Sequence, residues 1–251
     1  MAMRLSVIIP SYNEQKNLKR KVLLPLLTYL QGQSYSWELL LSDDGSTDGT
    51  TDALRQFAKQ DERIRLLANI HAGKAPTVTA GMLAAKGEWR LFADFDQSTP
   101  IAELEKLWPW TKDGFEVVIG SREIQGAIRD VEPWYRHLMG RVFNIVVEML
   151  TMLGVKDTQC GFKLFSGRAT ELLYRKLRVY GSQAIRKDAF TGAFDVELLY
   201  LAKKMKFPVK EVPIHWKHNP TDRVSPIRDS LRMFRDVFKI KITDWLKGYE
   251  E

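Results

Sequence analysis

The sequence predicts an α/β fold built on a mostly parallel sheet. Three observations carry this. Short apolar, β-branched runs alternate with amphipathic stretches of helical period through the first half of the chain. Polar clusters fall directly after the apolar runs. No Gly/Ser-rich or Pro-rich linker divides the 251 residues. Strands alternating with helices of about 10–15 residues argue for βαβ units and a parallel sheet. Right-handed crossovers bring the C-terminal ends of such strands to one edge, and open sheets bind ligands there.

Residues 5–10 (LSVIIP) read as the first strand, ended by proline. Residues 14–30 carry Leu18, Val22, Leu26 and Tyr29 at helical spacing, with Pro25 expected to kink or restart the helix. Residues 37–43 form a second strand. Residues 48–59 form a helix capped by Ser46, Thr47 or Asp48. A third strand spans 64–69, a helix stopped by Gly87 spans 75–85, and a fourth strand spans 88–94. Thr99 and Pro100 are the cap and first turn of the next helix. Residues 116–121 form a fifth strand. In the second half, 134–153 read as an apolar helix with one polar stripe of His137, Arg141, Asn144 and Glu148. Strands are expected at 160–165 and 209–216, with a helix over 194–205. Residues 226–247 form an amphipathic helix with Ile227, Leu231, Phe234, Phe238, Ile242 and Trp245 on one face. The division expected is a catalytic domain over 1–222 and a C-terminal amphipathic helix over 223–251.

An apolar content of 45% places the chain among folded globular proteins. A net charge of +7 suits anionic partners. No recognised nucleic-acid-binding motif is present, and the clusters at the strand ends are acidic, so no nucleic-acid partner is expected. The single cysteine, Cys160, allows no internal disulfide and fits a reducing cytosol. The chain enters a strand almost at once and contains no apolar run of about 18 residues, so neither a signal peptide nor a spanning helix is expected.

Two clusters carry chemistry. DDGSTD (43–48) follows an apolar strand and opens a helix. Its carboxylates can accept hydrogen bonds from a base N–H or ribose hydroxyls, although the same residue types make turns and caps. Two adjacent acids, Asp43 and Asp44, exceed what a cap requires. DFD (94–96) ends a buried strand, where Asp94 and Asp96 can hold Mg²⁺ or Mn²⁺ against a diphosphate. Such a metal neutralises charge on a departing nucleoside diphosphate. A nucleotidyltransferase would also use carboxylate-held metal, but it would carry a Gly-rich basic loop after the first strand, where this chain has SYNE.

VIIPSYNE, LLLSDDGSTDGT, AGK and a strand ending in D-x-D, over residues 5–122, resemble the GT-A glycosyltransferases of family 2. VVIGSR, DTQCGFKLF (157–165), AFDVELLYLA (193–202) and EVPIHW (211–216) further resemble the dolichyl-phosphate β-glucosyltransferases and their prokaryotic polyprenyl-phosphate relatives. The mannosyl branch usually differs around CGFKLF. The resemblance implies a GT-A sheet with a Rossmann-like nucleotide-binding half and an inverting, metal-dependent transfer of hexose. The donor would be a nucleotide sugar, UDP-glucose in the leading reading, and the acceptor a polyprenyl phosphate; the alternative is a family 2 enzyme with a mannose donor or a non-lipid acceptor. It implies that Pro10, Tyr12, Glu14 and Asp44 hold the base and ribose, and that Lys74 lies near the nucleotide or sugar. Asp94 and Asp96 would be the ribose- and metal-binding acids. Arg122, after the fifth strand, would face the incoming phosphate. It also puts an acid at the position of Asp195, which would serve as general base, helix cap or substrate-positioning group. The chain departs from the pattern in reading DFDQS where relatives read DADG or DADLQ, and AGKAP where they read GKGG. The eukaryotic glucosyl enzymes carry an N-terminal membrane anchor, and none is expected here.

Two further expectations concern the acceptor. Arg136 and Arg141 offer forked donors for a lipid phosphate, or simply a solvated helix face. The segment 223–248 carries seven basic and three acidic residues, +4 in all, and with Phe234 and Trp245 it reads as a membrane-surface helix or as a helix packed on the domain with a basic outer face. Together these expectations describe a peripheral protein on the cytoplasmic face of a membrane.

Overall fold

A computed structural model describes residues 3–130, 134–151, 153–181, 192–219 and 226–250; for 134–139 and 226–230 it describes the backbone alone. The first strand, β1 (Leu5–Ser11), is buried along its whole length, as expected of a strand covered on both faces. It is followed by α1 (Gln15–Lys19), α2 (Leu23–Gln31), β2 (Trp37–Asp43), α3 (Thr50–Ala58), β3 (Ile64–Ala68), α4 (Lys74–Ala84) and β4 (Trp89–Ala93). A 3₁₀ turn (Ile101–Glu103) then leads into α5 (Leu104–Lys112) and β5 (Val117–Ser121).

The sheet order is β3-β2-β1-β4-β7-β5-β8. Strands β1 to β4 pair in parallel, β1 lying between β2 and β4. The chain therefore moves outward from β1 to β2 and β3, then crosses back to place β4 on the other side. That reversal opens a crevice at the C-terminal ends of β1 and β4, where such sheets take ligands. Strand β7 (Phe162–Ser166) inserts antiparallel between β4 and β5, and β8 (Val209–Pro213) adds parallel to β5.

Several expectations shift in detail. The helix expected over 14–30 is broken before Pro25, at Lys21, whose φ of 56° is left-handed. Proline then sits near the start of α2, where its missing N–H costs nothing. Helix α3 has Gly49 at its N-cap position with no side-chain cap there, while Asp48 still accepts from Thr50 N at 3.0 Å. The strand expected over 209–216 is two: β8, and β9 (His215–Trp216), which pairs with β6 (Ile128–Arg129) in a separate small sheet. The next helix after β5, α6 (Trp134–Thr151), and the last, α9 (Pro226–Trp245), pack on each other.

Two apolar clusters flank the sheet. One lies against α2, α3 and α5. The other holds α4, α6, α7 (Gly167–Arg175), α8 (Phe194–Lys204) and α9. The C-terminal helix joins this second cluster through Val237 and Ile240, with Tyr249 after it. Its expected apolar face is split: Phe234 packs inward, whereas Leu231, Phe238, Ile242 and Trp245 stay exposed. Among the described residues no helix is long and apolar enough to cross a membrane.

Candidate functional site

The C-terminal ends of β1 and β2 form the first wall. Asp43 has no exposed surface, and its carboxylate is taken up inside the wall. It accepts from the Ser11 hydroxyl at 2.8 Å, the Ser46 hydroxyl at 2.6 Å, the Thr51 hydroxyl at 2.7 Å and Ser46 N at 3.0 Å. Asp44 turns towards the loop before α4. It accepts from Ala72 N at 2.8 Å and Gly73 N at 3.0 Å, and its other contact is His71 Nδ1 at 2.9 Å. His71 in turn stacks on Tyr12, ring centroids 4.4 Å apart and 11° from parallel. Buried Glu14 accepts from Asn17 Nδ2. Pro10, paired with Ser42, lies in the fully buried body of β1. Of the acids assigned to the nucleotide, Asp43 and Asp44 thus build the wall through their own hydrogen bonds.

The second wall is the end of β4. Asp94 N donates to Gly161 O at 3.0 Å, anchoring the turn against the start of β7. A Cβ at Gly161 would overlap the Asp94 carboxylate, so only glycine leaves this acid its position. Gln97, with φ of 52°, returns its side-chain amide to Asp94 O, and Ser98 N donates to Asp96 at 2.9 Å. Asn219 reaches across to donate to Asp96 O at 3.0 Å. Asp94, Asp96, Arg122, Gln159, Trp216 and His218 are among the residues lining one cavity of about 220 Å³.

Electrostatics sharpen this centre. Burial, then the nearby Asp94 charge, raises the pKa of Asp96 above the usual carboxylate value. Lys74 Nζ lies 2.7 Å from Asp94 Oδ1. Burial opposes its ammonium form, yet Asp94, Asp195 and Asp96 together hold the Lys74 pKa above the ordinary lysine value. Two carboxylates with one lysine leave net negative charge at the cavity, and their oxygens are hard donors. Among the described residues no three His, Cys, Asp or Glu side chains converge on one point. The pair therefore fits a divalent cation that takes its remaining ligands from a diphosphate and water, the way Mg²⁺ is usually held.

Arg122 lies on the cavity's far side. Its guanidinium grips Asp157 through Nε at 2.7 Å and Nη2 at 2.9 Å, and Arg122 N donates to the same acid at 2.9 Å. Burial pushes the Asp157 pKa up, but the adjacent Arg122 outweighs it and brings it down to about 2. Glu211 in β8 holds Asp157 N at 2.8 Å. Trp216 stands 5.4 Å from the guanidinium. Asp195, 6% exposed in the first turn of α8, lies 2.7 Å from Lys163 Nζ, and Lys163 has no exposed surface at all.

The structure thus gathers Asp94, Asp96 and Arg122 about one cavity, with Lys74 attached through Asp94. Asp195 lies behind them. Tyr12, Glu14, Asp43 and Asp44 stand on the adjoining strand ends. Arg141 is exposed on α6 and is not among the cavity's lining residues; the side chain of Arg136 lies outside the described residues. Asn144 and Glu148, read as members of one stripe, make fold contacts with Thr158 and Gly154 N. Sequence reading missed Lys163, Asp157, Gly161, Trp216, His218 and Asn219. DTQCGFKLF and EVPIHW, quoted for the resemblance, contain Asp157, Gly161, Lys163 and Trp216 but gave them no role, and nothing pointed to His218 or Asn219. Cys160 is buried, and burial pushes its thiol up to about 12, so it is inert as a nucleophile near neutral pH.

An open α/β sheet with acids at the β1/β4 crevice and a D-x-D turn defines a GT-A-type transferase fold. Residues 6–173 match glycosyl transferase family 2, and the chain belongs to that family. It is 33% identical to the dolichyl-phosphate beta-glucosyltransferase of Drosophila melanogaster, over 95% of this chain and 74% of the relative. Mannosyl-3-phosphoglycerate synthase from Rubrobacter xylanophilus superposes with a TM-score of 0.67 at 13% identity, covering 99% of this chain and 76% of that one. Glucosyl-3-phosphoglycerate synthase from Mycobacterium tuberculosis, solved with Mn²⁺, UDP and glucosyl-3-phosphoglycerate, superposes with a TM-score of 0.64 at 16% identity, over 96% and 79%.

Proposed function

We propose that this protein transfers glucose from UDP-glucose to a polyprenyl phosphate of the dolichyl type, with inversion at the anomeric carbon. The observation that carries this is the single cavity joining the Asp94–Asp96 pair to Arg122. One side suits a metal-bound diphosphate and the other an arriving phosphate. The similarity to dolichyl-phosphate beta-glucosyltransferases along nearly the whole chain supports the choice of sugar and acceptor.

A phosphate oxygen of the acceptor attacks the anomeric carbon as the bond to the β-phosphate of UDP breaks. Asp94 and Asp96 would hold Mg²⁺ or Mn²⁺, which when bound neutralises charge on the leaving diphosphate. Lys74 adds a second positive charge beside Asp94. Arg122, oriented by Asp157, keeps Nη1 for the acceptor phosphate. Arg136 and Arg141 would meet the lipid phosphate as it approaches along α6. Tyr12, Pro10, Glu14 and Asp44 hold the base and ribose, with Asp43 bracing their wall. The acceptor phosphate, with a second pKa of about 6, is already ionised near neutral pH. Asp195 is then not required as a general base, and its burial beside Lys163 suits a positioning role.

The lipid end of the acceptor calls for a membrane surface. Leu231, Phe238, Ile242 and Trp245 on α9 and Val142, Ile145 and Met149 on α6 expose apolar side chains on two helices that pack together. Arg232, Arg235 and Lys239 accompany them on α9. Such a face suits shallow insertion with basic residues at anionic headgroups, on the cytoplasmic side.

The test is incubation of purified protein with polyprenyl phosphate and a panel of radiolabelled nucleotide sugars, with and without Mg²⁺ or Mn²⁺. Organic-phase label from UDP-glucose is expected. Label only from a mannose donor would correct the sugar, and label confined to a water-soluble product would remove the lipid acceptor.

A further inference from the structure

Lys163 occupies a position that packing alone would fill with an apolar side chain. It lies on β7 in the middle of the sheet, opposite Phe92 on β4 and Ile119 on β5, both members of the buried core. Its side chain has no exposed surface, and its ammonium donates to Cys160 O and lies 2.7 Å from Asp195 Oδ1. A buried ion pair is weak evidence for stability, because apolar residues of the same volume are often as good or better. The pair therefore calls for another explanation.

Its surroundings supply one. Asp195 is followed along α8 by an unbroken run of buried residues. Lys163 Nζ reaches its Oδ1 at 2.7 Å, a contact of opposite charges in a site closed to water. Lys163 from β7, Lys74 from α4, Asp94 after β4 and Tyr174 from α7 surround it electrostatically. The result is a series of alternating charge from core to cavity, Lys163, Asp195, Lys74 and Asp94, with Asp96 a second acid at its outer end. Lys74 lies 2.7 Å from Asp94 and also feels Asp195. Without an anion behind it, the lysine would face only the carboxylates proposed to hold the metal.

We infer that Lys163 is a positioning residue for the transfer reaction, holding Asp195 as a buried anion behind Lys74 so that this lysine keeps its place beside Asp94. The inference rests on the donor side of the function proposed above. Burial raises the Asp195 pKa above the usual carboxylate value, and the Lys163 ammonium, then Lys74, limits that rise. Removing that ammonium leaves the carboxyl buried without its counter-charge, so it takes up a proton at higher pH.

The first measurement needs no turnover: ¹³C-carboxyl NMR titration of Asp195 in the wild type and in Lys163→Met. The proton uptake of Asp195 should move up by at least one pH unit in the variant, and an unchanged titration overturns the inference. The second measurement is the kcat and KM of glucosyl transfer from UDP-glucose across pH 5–9. In Lys163→Met, kcat at neutral pH should fall at least ten-fold, with the acidic limb shifted upward, while Lys163→Arg keeps the wild-type profile. The double variant with Asp195→Asn should be no slower than Asp195→Asn alone, because the lysine acts through the acid. Multiplicative losses overturn the inference. If Lys163→Met does not fold, Lys163→Arg and Asp195→Asn still decide it: a displaced pH limb in the arginine variant, or wild-type turnover in the asparagine variant, overturns it. A wild type that transfers no glucose to lipid sinks the function proposal, and the NMR titration still decides the lysine.

Discussion

Asp96 and its neighbour Asp94 concentrate negative charge in a partly buried turn, and one lysine does not balance it. On the proposed metal assignment, Asp96→Ala removes an oxygen ligand of the cation that neutralises the leaving diphosphate. Loss of comparable charge stabilisation lowers kcat by about 10²–10³-fold. Steady-state rates in saturating Mg²⁺ or Mn²⁺ measure this, EDTA should reproduce it reversibly, and near-wild-type turnover would remove the metal assignment. Asp157 makes a different prediction. Arg122 holds its pKa near 2, below the usual carboxylate value. The stabilisation is therefore fully present above about pH 4, where an unfolded aspartate is already ionised. It is lost as pH falls from there towards 2. Asp157→Asn should flatten the stability profile across that acid range and lower stability at neutral pH, where Arg122 remains buried without its counter-charge. Urea melts at several pH values test this, and a variant with the wild-type slope would refute it.

Helix α9 divides its apolar residues between a buried and an exposed face. Val237 and Ile240 are buried in the core, and Tyr180 donates to buried Asp236 at 2.6 Å. Phe238 and Ile242 are each about half exposed, and Trp245 is 82% exposed. Exposed apolar side chains contribute little to folding, so Phe238→Ser with Ile242→Ser should leave the melting temperature nearly unchanged. The same pair of changes should weaken binding to anionic liposomes several-fold, and high salt should weaken it further in both proteins. Co-sedimentation at low and high salt reads both effects. Equal binding by the variant and the wild type would exclude this face as the lipid contact.

Across the whole molecule, the C-terminal segment closes the core that the sheet begins. Tyr249 donates to buried Glu197 at 2.8 Å, and that acid also accepts from the backbone at Arg178, Val179 and Tyr180. Truncation before Pro226 therefore strips partners from buried polar groups as well as cover from Phe143 and Val147. Each unsatisfied buried group costs about 1–3 kcal/mol, so the truncated chain should melt well below the intact one and aggregate. A truncated protein with the full melting temperature would instead make the segment a detachable membrane helix. The mixed outcome of this helix, part core and part surface, follows from having apolar residues on more than one side.

Alternating strand and helix patterns made the parallel half legible, because strand and helix periods of two and 3.6 are local properties. Polar clusters directly after apolar strands located the ligand edge for the same reason, and Asp94, Asp96 and Arg122 meet there. Resemblance supplied roles for Tyr12, Asp44 and Lys74 that spacing alone left open. Long-range pairing decided the rest. The antiparallel insertion of β7, the demand for glycine at 161 and the pairing of Arg122 with Asp157 join residues distant in sequence. Lys163 is the clearest case. On a strand it reads as a solvent-facing lysine, and only the tertiary approach of the first turn of α8 turns it into a buried cation facing Asp195. Local periodicity determines which segments become strands and helices and which edge carries the acids. The charge partners of those acids are set when segments far apart in the chain exclude water together.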